Sequence, residues 1–96
     1  MTDPIISREV SGNFGRYAIR QGGAVAEMSY TVTGPGRVQA DHTEVPDSFR
    51  GTGAGIAMLT RMVADARAEG FKITPLCPFV AAMRLRHPDW ADVFSG

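Results

Sequence analysis

The stretch HTEVPDSFRGTGAG, from His42 to Gly55, decides the fold because it joins two sequence periods. A β-like run that carries a histidine and a glutamate ends at Pro46, and a helical pattern begins after the glycines. Between them, Arg50 is followed by glycine at positions 51, 53 and 55. A strand, a glycine turn and a helix in this order predict a helix N-terminus with accessible backbone amides, which suits an anion such as phosphate.

On the N-terminal side, four β-like segments are separated by signals for tight turns. They are PIISREV, FGRYAIR, the alternating run AVAEMSYTVT and RVQADHTEV, with SGN, QGG and GPG between them. Short connections of this kind predict an antiparallel four-strand meander. On the fourth strand, His42 and Glu44 are two positions apart. Regular alternation therefore predicts that both side chains share the face of Val38 and Ala40.

On the C-terminal side, apolar residues at helical spacing from Ile56 to Ala66 predict a helix that ends at Gly70. FKIT predicts a fifth strand, and Pro78 is well placed as the first residue of a second helix that stops near Arg86. A strand–helix–strand unit needs a crossover, so the fifth strand should lie parallel to the fourth. The prediction is an α+β fold.

Composition limits the chain to one domain, which we place over residues 1–96. Ten basic and ten acidic residues cancel, which argues against a nucleic-acid partner or an anionic membrane surface. The N-terminus lacks the pattern of a signal peptide, and no apolar run is long enough for a bilayer. A single cysteine fits a reducing compartment. The expected location is the cytoplasm.

The glycine turn fits neither of two familiar phosphate motifs. A P-loop requires Lys and then Ser or Thr after its last glycine, whereas Ile56 and Ala57 follow here. The glycines also have the wrong spacing for a dinucleotide fingerprint. From the residues alone, two interpretations remain open. The turn binds phosphate with help from Arg50, or its glycines permit close packing of the helix on the sheet.

Three side chains near this turn are candidates for chemistry. Cys77 lies between the fifth strand and the second helix, where a thiol can be reactive and can act as a nucleophile with His42 as its base. The alternative is a small buried residue. Glu44 and His42 are either an acid–base pair or a hydrogen-bonded polar pair at the rim of the sheet. No close-spaced pair of ligands predicts a metal.

The segment from Arg50 to Gly55 fits the Q/R-x-x-G-x-G/A motif of the GNAT superfamily of acyl-CoA-dependent N-acetyltransferases. HTEVP before it, and PLCPFV and a late His-Pro after it, resemble the compact single-domain branch of that superfamily. The resemblance covers His42 to Trp90, about half of the chain. It implies a minimal GNAT-like fold whose fifth strand splays away from the fourth, and acetyl-CoA as the co-substrate.

The resemblance also implies roles for individual residues. The CoA pyrophosphate would be held by the backbone of Arg50, Gly51, Thr52, Gly53, Ala54 and Gly55. The pantetheine arm would pair with Thr43, Glu44 and Val45, and Cys77 would line the channel. Glu44 would be the base for the acceptor amine, with His42 and Cys77 as further catalytic candidates.

One family feature is missing from the sequence. Members of the compact branch often carry a tyrosine as the acid for the leaving thiolate at the position of Met83, and no tyrosine follows Tyr30 here. The acid would then be Cys77, His87, water or no group at all. The absence favours a second function, a non-catalytic acyl-CoA-binding or interaction module. Retention of the other candidates favours an N-acetyltransferase.

The acceptor side is expected to be open. Full-length GNAT folds place helices between the first two strands, whereas Ser11 to Asn13 leaves room only for a turn. The hairpin that usually follows the last helix is also missing, since the sequence stops at Gly96. An open site suits an amine on a protein, either a lysine or an N-terminus, better than a small metabolite.

Overall fold

The computed structural model of the chain describes residues 5–95. Its elements are β1 (Ser7–Ser11), β2 (Phe14–Gln21), β3 (Ala24–Gly34), β4 (Arg37–Glu44), α1 (Ala54–Glu69), β5 (Lys72–Pro75) and α2 (Pro78–Arg86), with 3-10 helices at Asp47–Phe49 and Pro88–Val93. The first strand was predicted from Pro4, which lies outside the described residues. Within the part that is described, no helix combines the length and the hydropathy needed to cross a membrane.

The sheet has the predicted topology. Its five strands follow the order β1-β2-β3-β4-β5. The first four strands are antiparallel, and β5 is parallel to β4. In the β1–β2 turn, Gly12 has a φ of 61° and Asn13 does not have a positive φ. This is the pattern of a two-residue hairpin loop whose first position requires glycine. The connection between the first two strands is therefore only a turn, as predicted.

One face of the sheet, here called the inner face, packs against the helices. It contributes Tyr17, Met28, Tyr30 and Val38 to the core that also contains residues of α1, α2 and the last 3-10 helix. The opposite face, here called the outer face, carries Glu9, Arg16, Glu27, Ser29, Asp41, His42 and Glu44. None of these outer-face residues is buried. Among residues 5–95, the helices therefore cover one side of the sheet and leave the other open.

A β-bulge in β4 changes which side chains face the core. Tyr30 lies opposite Ala40 and Ser29 lies opposite His42, so Asp41 has no partner of its own on β3. An extra residue of this kind reverses the alternation of the strand that carries it. Thr43, opposite Met28, therefore returns to the inner face.

The bulge makes one sequence-based prediction wrong. His42 and Glu44 do share a face, but it is the outer face and not the face of Val38 and Ala40. Hydrogen bonds fix the bulge, because the Asp41 carboxylate accepts from Thr31 Oγ1 at 2.6 Å and from Gln39 Nε2 at 3.0 Å. Asp41 is thereby held on the outer face beside His42. This contact joins two strands, so the alternation of residues along one strand could not predict it.

Both helices begin and end close to their predicted limits. Gly53 at the start and Gly70 at the end of α1 have left-handed backbone, with φ of 73° and 79°. The N–H of Gly70 donates to the carbonyl of Ala66 at 2.8 Å, which closes the helix end. Pro78 is the first residue of α2, as predicted.

A polar cluster fastens α1 to the edge of the sheet. The Tyr17 hydroxyl donates to Asp65 Oδ2 at 2.8 Å, and Arg8 Nη1 donates to the same oxygen at 3.3 Å. Burial, and then the hydrogen bond to Asp65, raise the pKa of Tyr17 well above its ordinary value. The hydroxyl therefore stays protonated and acts as a donor. This cluster holds the helix whose N-terminus enters the candidate site.

Candidate active site

The β4 and β5 strands pair over only part of their length. Their last paired residues are Ala40 and Pro75, whereas β4 continues to Glu44 in register with β3. The N–H groups of Leu76 and Cys77 both donate to the Ala40 carbonyl, at 3.1 and 2.9 Å. The chain then enters α2. The strands therefore separate beyond Ala40, as the resemblance implied, and this opening is here called the β4–β5 gap.

Backbone polar groups border the gap on its β4 side. After Ala40, β4 pairs with β3 along one edge and has no strand on the other. Backbone groups on the two edges of a strand alternate, so part of the N–H and C=O groups between Asp41 and Glu44 point into the gap. They are suited to pair with the amides of an extended ligand.

The inner side of the gap holds a thiol and a hydroxyl. Cys77 is the N-cap residue of α2 and is 3% exposed. Its Sγ lies 3.2 Å from Oγ1 of Thr43, and either group can be the donor. The structure therefore places Cys77 where the sequence predicted it, at the junction of the fifth strand and the second helix. It is a buried residue that lines the gap.

The outer side of the gap holds the other two candidates. His42 and Glu44 are both exposed and lie on the outer face. Because Cys77 contacts the inner-face residue Thr43, the sheet separates the histidine from the thiol. The pairing of His42 with Cys77 as base and nucleophile, one of the alternatives left open by the sequence, is disfavoured by this separation. The site instead has two sides with different chemistry.

The glycines of the turn have two different roles. Gly51 and Gly53 have φ of 79° and 73°, a conformation that L residues rarely adopt. The φ of Gly55 is not positive, but a Cβ there would lie 3.0 Å from Cζ of Phe79 in α2. Close packing, one of the two interpretations drawn from the sequence, applies to Gly55, although its neighbour is α2 and not the sheet. Phosphate binding by the turn stays a prediction. Two shape the turn, and the third permits close packing between the helix N-termini.

That packing brings the turn next to the gap. Phe79 follows Cys77 by two residues, so the contact with Gly55 joins the start of α1 to the inner side of the gap. The first amides of α1, including those of Gly55 and Ile56, have no acceptor within the helix. Arg50 adds a positive side chain that is 84% exposed and whose ion pair with Asp47 is long, at 3.7 Å. The turn therefore offers backbone donors and an exposed positive charge.

Two side chains that hold the turn in place were not predicted from the sequence to do so. The first is Phe49, which is 2% exposed and anchors the turn in the core. The second contribution is the Thr52 side chain, because its hydroxyl donates to the Phe49 carbonyl at 2.6 Å and accepts from the Ala54 N–H at 3.3 Å. Only the backbone of Thr52 had been assigned a role. An aromatic residue inside an otherwise polar turn was the available signal.

His87 lies away from the gap. It is the C-cap residue of α2, whose nine residues separate it from Cys77. At 1.5 Å per residue, this separation is about 15 Å along the helix. The His87 ring stacks on Trp90, with centroids 4.0 Å apart. His87 is therefore not the acid for a leaving thiolate, and Met83 packs against the core. Of the options for this acid, Cys77, water and no group at all remain.

Comparisons with known proteins agree with this geometry. Residues 16–93 match the family model described as GCN5-related N-acetyl-transferase. The chain is also similar to a GCN5-like protein from Staphylococcus aureus solved by NMR, with 28% sequence identity and a TM-score of 0.73. The similarity covers 100% of this chain and 92% of that one. No curated protein matches. Since the family model spans most of the sequence, the chain belongs to the GCN5-related N-acetyltransferase family.

Proposed function

We propose that this protein transfers the acetyl group of acetyl-CoA to an amine acceptor. The observation that carries the proposal is the contact between Gly55 and Phe79, which brings the glycine turn next to the β4–β5 gap. A phosphate-binding turn and an opening lined by free backbone amides are the two features that a CoA molecule needs, one for its pyrophosphate and one for its pantetheine arm. Membership of an N-acetyltransferase family supports the same conclusion.

In this proposal, CoA lies along β4 from the turn to the gap. The pyrophosphate binds the backbone from Arg50 to Gly55, with the Arg50 side chain as its counter-charge. The pantetheine amides pair with β4 from Thr43 to Val45. The thioester then lies beside Cys77, on the inner side of the gap.

The acceptor approaches from the outer side. An amine is protonated near neutral pH and cannot attack until it loses a proton. Glu44 is the exposed carboxylate on this side and takes that proton, directly or through a water. The amine nitrogen then attacks the thioester carbonyl, the C–S bond breaks, and the CoA thiolate takes a proton from the Cys77 thiol or from water. The attacking nitrogen loses its second proton to water, and water returns a proton to Cys77 where the thiol was the donor. His42 borders the route of the acceptor.

Direct transfer is favoured over an acetyl-cysteine intermediate. Formation of such an intermediate requires a base for the Cys77 thiol. The Cys77 thiol contacts Thr43, a hydroxyl that is not basic, and the candidate bases lie across the sheet. We further propose that the acceptor is an amine on a protein, because no helix among the described residues covers the outer face. A cytoplasmic location would supply both acetyl-CoA and such acceptors.

The first test is thermal stability with CoA, acetyl-CoA and ATP as separate ligands. At one hundred times its dissociation constant, a ligand of the native state adds about 2.7 kcal/mol of stability. We expect a shift with both CoA species and none with ATP. If neither CoA species shifts the unfolding temperature, the proposal is wrong.

The second test separates catalysis from binding alone. We expect Glu44→Gln to lower kcat for acetyl transfer by about 10²- to 10⁴-fold, because it removes the base. Glu27→Gln is the matched control, since Glu27 lies opposite Glu44 on β3 and one strand further from the gap. Cys77→Ala should lower kcat less, because water can replace the thiol as the acid. Equal background rates in the wild type and all three variants would instead indicate an acyl-CoA-binding module.

A further inference from the structure

The outer face carries a second feature, which lies in line with the gap. One row of side chains crosses the sheet from His42 through Ser29 and Arg16 to Glu9, each directly opposite the next. All four side chains belong to the outer face. A group bound near Glu9, at the far end of this row, is therefore in line with the gap, where the acceptor amine arrives in the proposed function.

A shallow depression occupies the far end of this row. It has a volume of about 320 Å³ and is lined by Glu9, Val10, Ser11, Phe14, Gly15, Arg16 and Ser29. Phe14 is 66% exposed and lies directly opposite Thr31, so it is an exposed aromatic ring on the outer face. An exposed aromatic side chain beside a depression is typical of a binding surface.

The charges on the outer face favour a cationic partner near the gap. In the depression, Glu9 is paired with Arg16 and Arg20 at 2.9 Å each. Nearer the gap, the acidic side chains of β4 are not paired with basic ones in the described part of the chain. Asp41 accepts from uncharged Thr and Gln side chains, and Glu44 has no ion pair among residues 5–95. Two carboxylates without cationic partners lie where the amine arrives, so the surface complements a positive charge at the gap and an apolar group at the depression.

The distance between the two features sets the length of the partner. The depression lies two to three strands from the gap, which is about 10–14 Å at the usual spacing of neighbouring strands. An extended peptide rises about 3.3 Å per residue, so three or four residues span this distance.

We propose that the acceptor is a protein segment with an apolar side chain three or four residues from the acetylated lysine. The lysine enters the gap from the outer face, and the apolar side chain contacts Phe14 in the depression. This inference rests on the proposed function and adds a specificity-determining residue to it.

The test uses N-terminally blocked peptides with one central lysine in a Gly/Ser background. Four peptides carry a single Leu, either three or four residues from the lysine, and on either its N-terminal or its C-terminal side. Two reference peptides carry Leu adjacent to the lysine or no Leu. Acetylation by acetyl-CoA is followed by mass spectrometry. We expect kcat/KM to be about tenfold higher for the best spaced peptide than for the references, as partial burial of a leucine side chain implies.

Two variants show whether Phe14 causes the preference. Phe14→Ala should reduce the ratio of kcat/KM between spaced and reference peptides from about ten to about one. Leu85→Ala is the matched control, because it removes an apolar side chain that is 82% exposed on α2, away from the outer face. The ratio should stay near ten in this variant.

The outcomes distinguish this inference from the function on which it rests. Equal rates for all peptides, or a preference that survives Phe14→Ala, overturn the inference while acetyl transfer stands. Acetylation of a simple alkylamine but of no peptide also overturns the inference and leaves acetyl transfer standing. Absence of CoA binding overturns both proposals. A dimer in sedimentation that Phe14→Ala dissociates would identify the depression as a contact between two copies of the chain, which also overturns the inference.

Discussion

Replacement of Gly51 by alanine separates the role of the turn in folding from its role in binding. Gly51 has a φ of 79°, and a Cβ added to it meets nothing within 4 Å. Gly12, in the β1–β2 hairpin, has a φ of 61° and equally open surroundings. The Gly12→Ala variant is therefore a matched control, because it imposes a similar backbone strain far from the proposed CoA site.

The expected loss of stability follows from the backbone alone. The left-handed conformation costs an L residue about 1–2 kcal/mol, and alanine recovers about 0.4–1 kcal/mol by restricting the unfolded chain. The net loss is about 1 kcal/mol for either variant, since no side-chain clash adds to it. For a domain of this size, such a loss lowers the unfolding temperature by about 4–8 °C.

The two variants should differ in their affinity for CoA. In Gly51→Ala, either the backbone leaves its left-handed conformation or a methyl group occupies the open space beside the amides. A hydrogen bond to a charged group contributes about 1.5–3 kcal/mol, so loss of one weakens binding by about ten- to a hundredfold. Isothermal titration with CoA measures this at a temperature where both variants are folded. Gly12→Ala should bind as the wild type does.

Either of two results would contradict binding of the pyrophosphate by the backbone of the turn. If Gly51→Ala binds CoA with wild-type affinity, the turn does not hold the pyrophosphate through its backbone. If both variants weaken binding equally, general destabilisation explains the loss. A third measurement, with dephospho-CoA, checks that the lost contact is to the pyrophosphate, since the ratio of its affinity to that of CoA should stay unchanged in Gly51→Ala.

Three further predictions concern the fold that supports the site. Gly55→Ala places a methyl group 3.0 Å from the Phe79 ring and should destabilise the protein by about 1–3 kcal/mol in urea unfolding, and Phe79→Leu in the same chain should relieve most of this loss. Asp65→Ala removes the acceptor of the buried Tyr17 hydroxyl and should cost about 1–3 kcal/mol, with partial recovery when Tyr17→Phe is added. Hydrogen bonds from its neighbours, chiefly Arg20, lower the pKa of Glu9 from 4.5 to about 2. A lowered folded-state pKa stabilises the protein above the unfolded value, and this contribution is lost as the pH falls from about 4.5 towards 2. The difference in unfolding temperature between wild type and Glu9→Gln should therefore be present near pH 6 and vanish near pH 2. A difference that is independent of pH would show that the charge of this carboxylate is not involved.

The parts of the fold that could be predicted depend on local signals. The position of Gly70, the N-terminal proline of α2 and the glycines of the hairpins each specify a backbone conformation within a few residues of themselves. Such features are readable from one sequence because their causes are local. The parallel pairing of β5 with β4 could also be predicted, because a helix connects the two strands. A crossover of this kind permits parallel pairing, and a hairpin does not.

The orientation of the candidate side chains could not be predicted in the same way. It depends on the bulge at Asp41, which is fixed by hydrogen bonds from Thr31 and Gln39. The first of these donors is on another strand. A trace of the bulge does exist in the sequence: regular alternation after Ala40 would assign inward positions to His42 and Glu44, both polar. Two polar residues in succession at inward positions indicate that the alternation has changed.

The bulge also accounts for the division of the site into two sides. In a regular strand, His42 and Glu44 would follow Ala40 on the inner face, where burial of an unpaired carboxylate costs several kcal/mol. Thr43 would lie on the outer face, away from Cys77. One extra residue reverses both placements: His42 and Glu44 face solvent, and the Thr43 hydroxyl that contacts the thiol faces the core. The proposed function requires one side of β4 to face CoA and the other to face the acceptor, and the bulge supplies this change of face within the gap, where β5 no longer constrains the edge of β4.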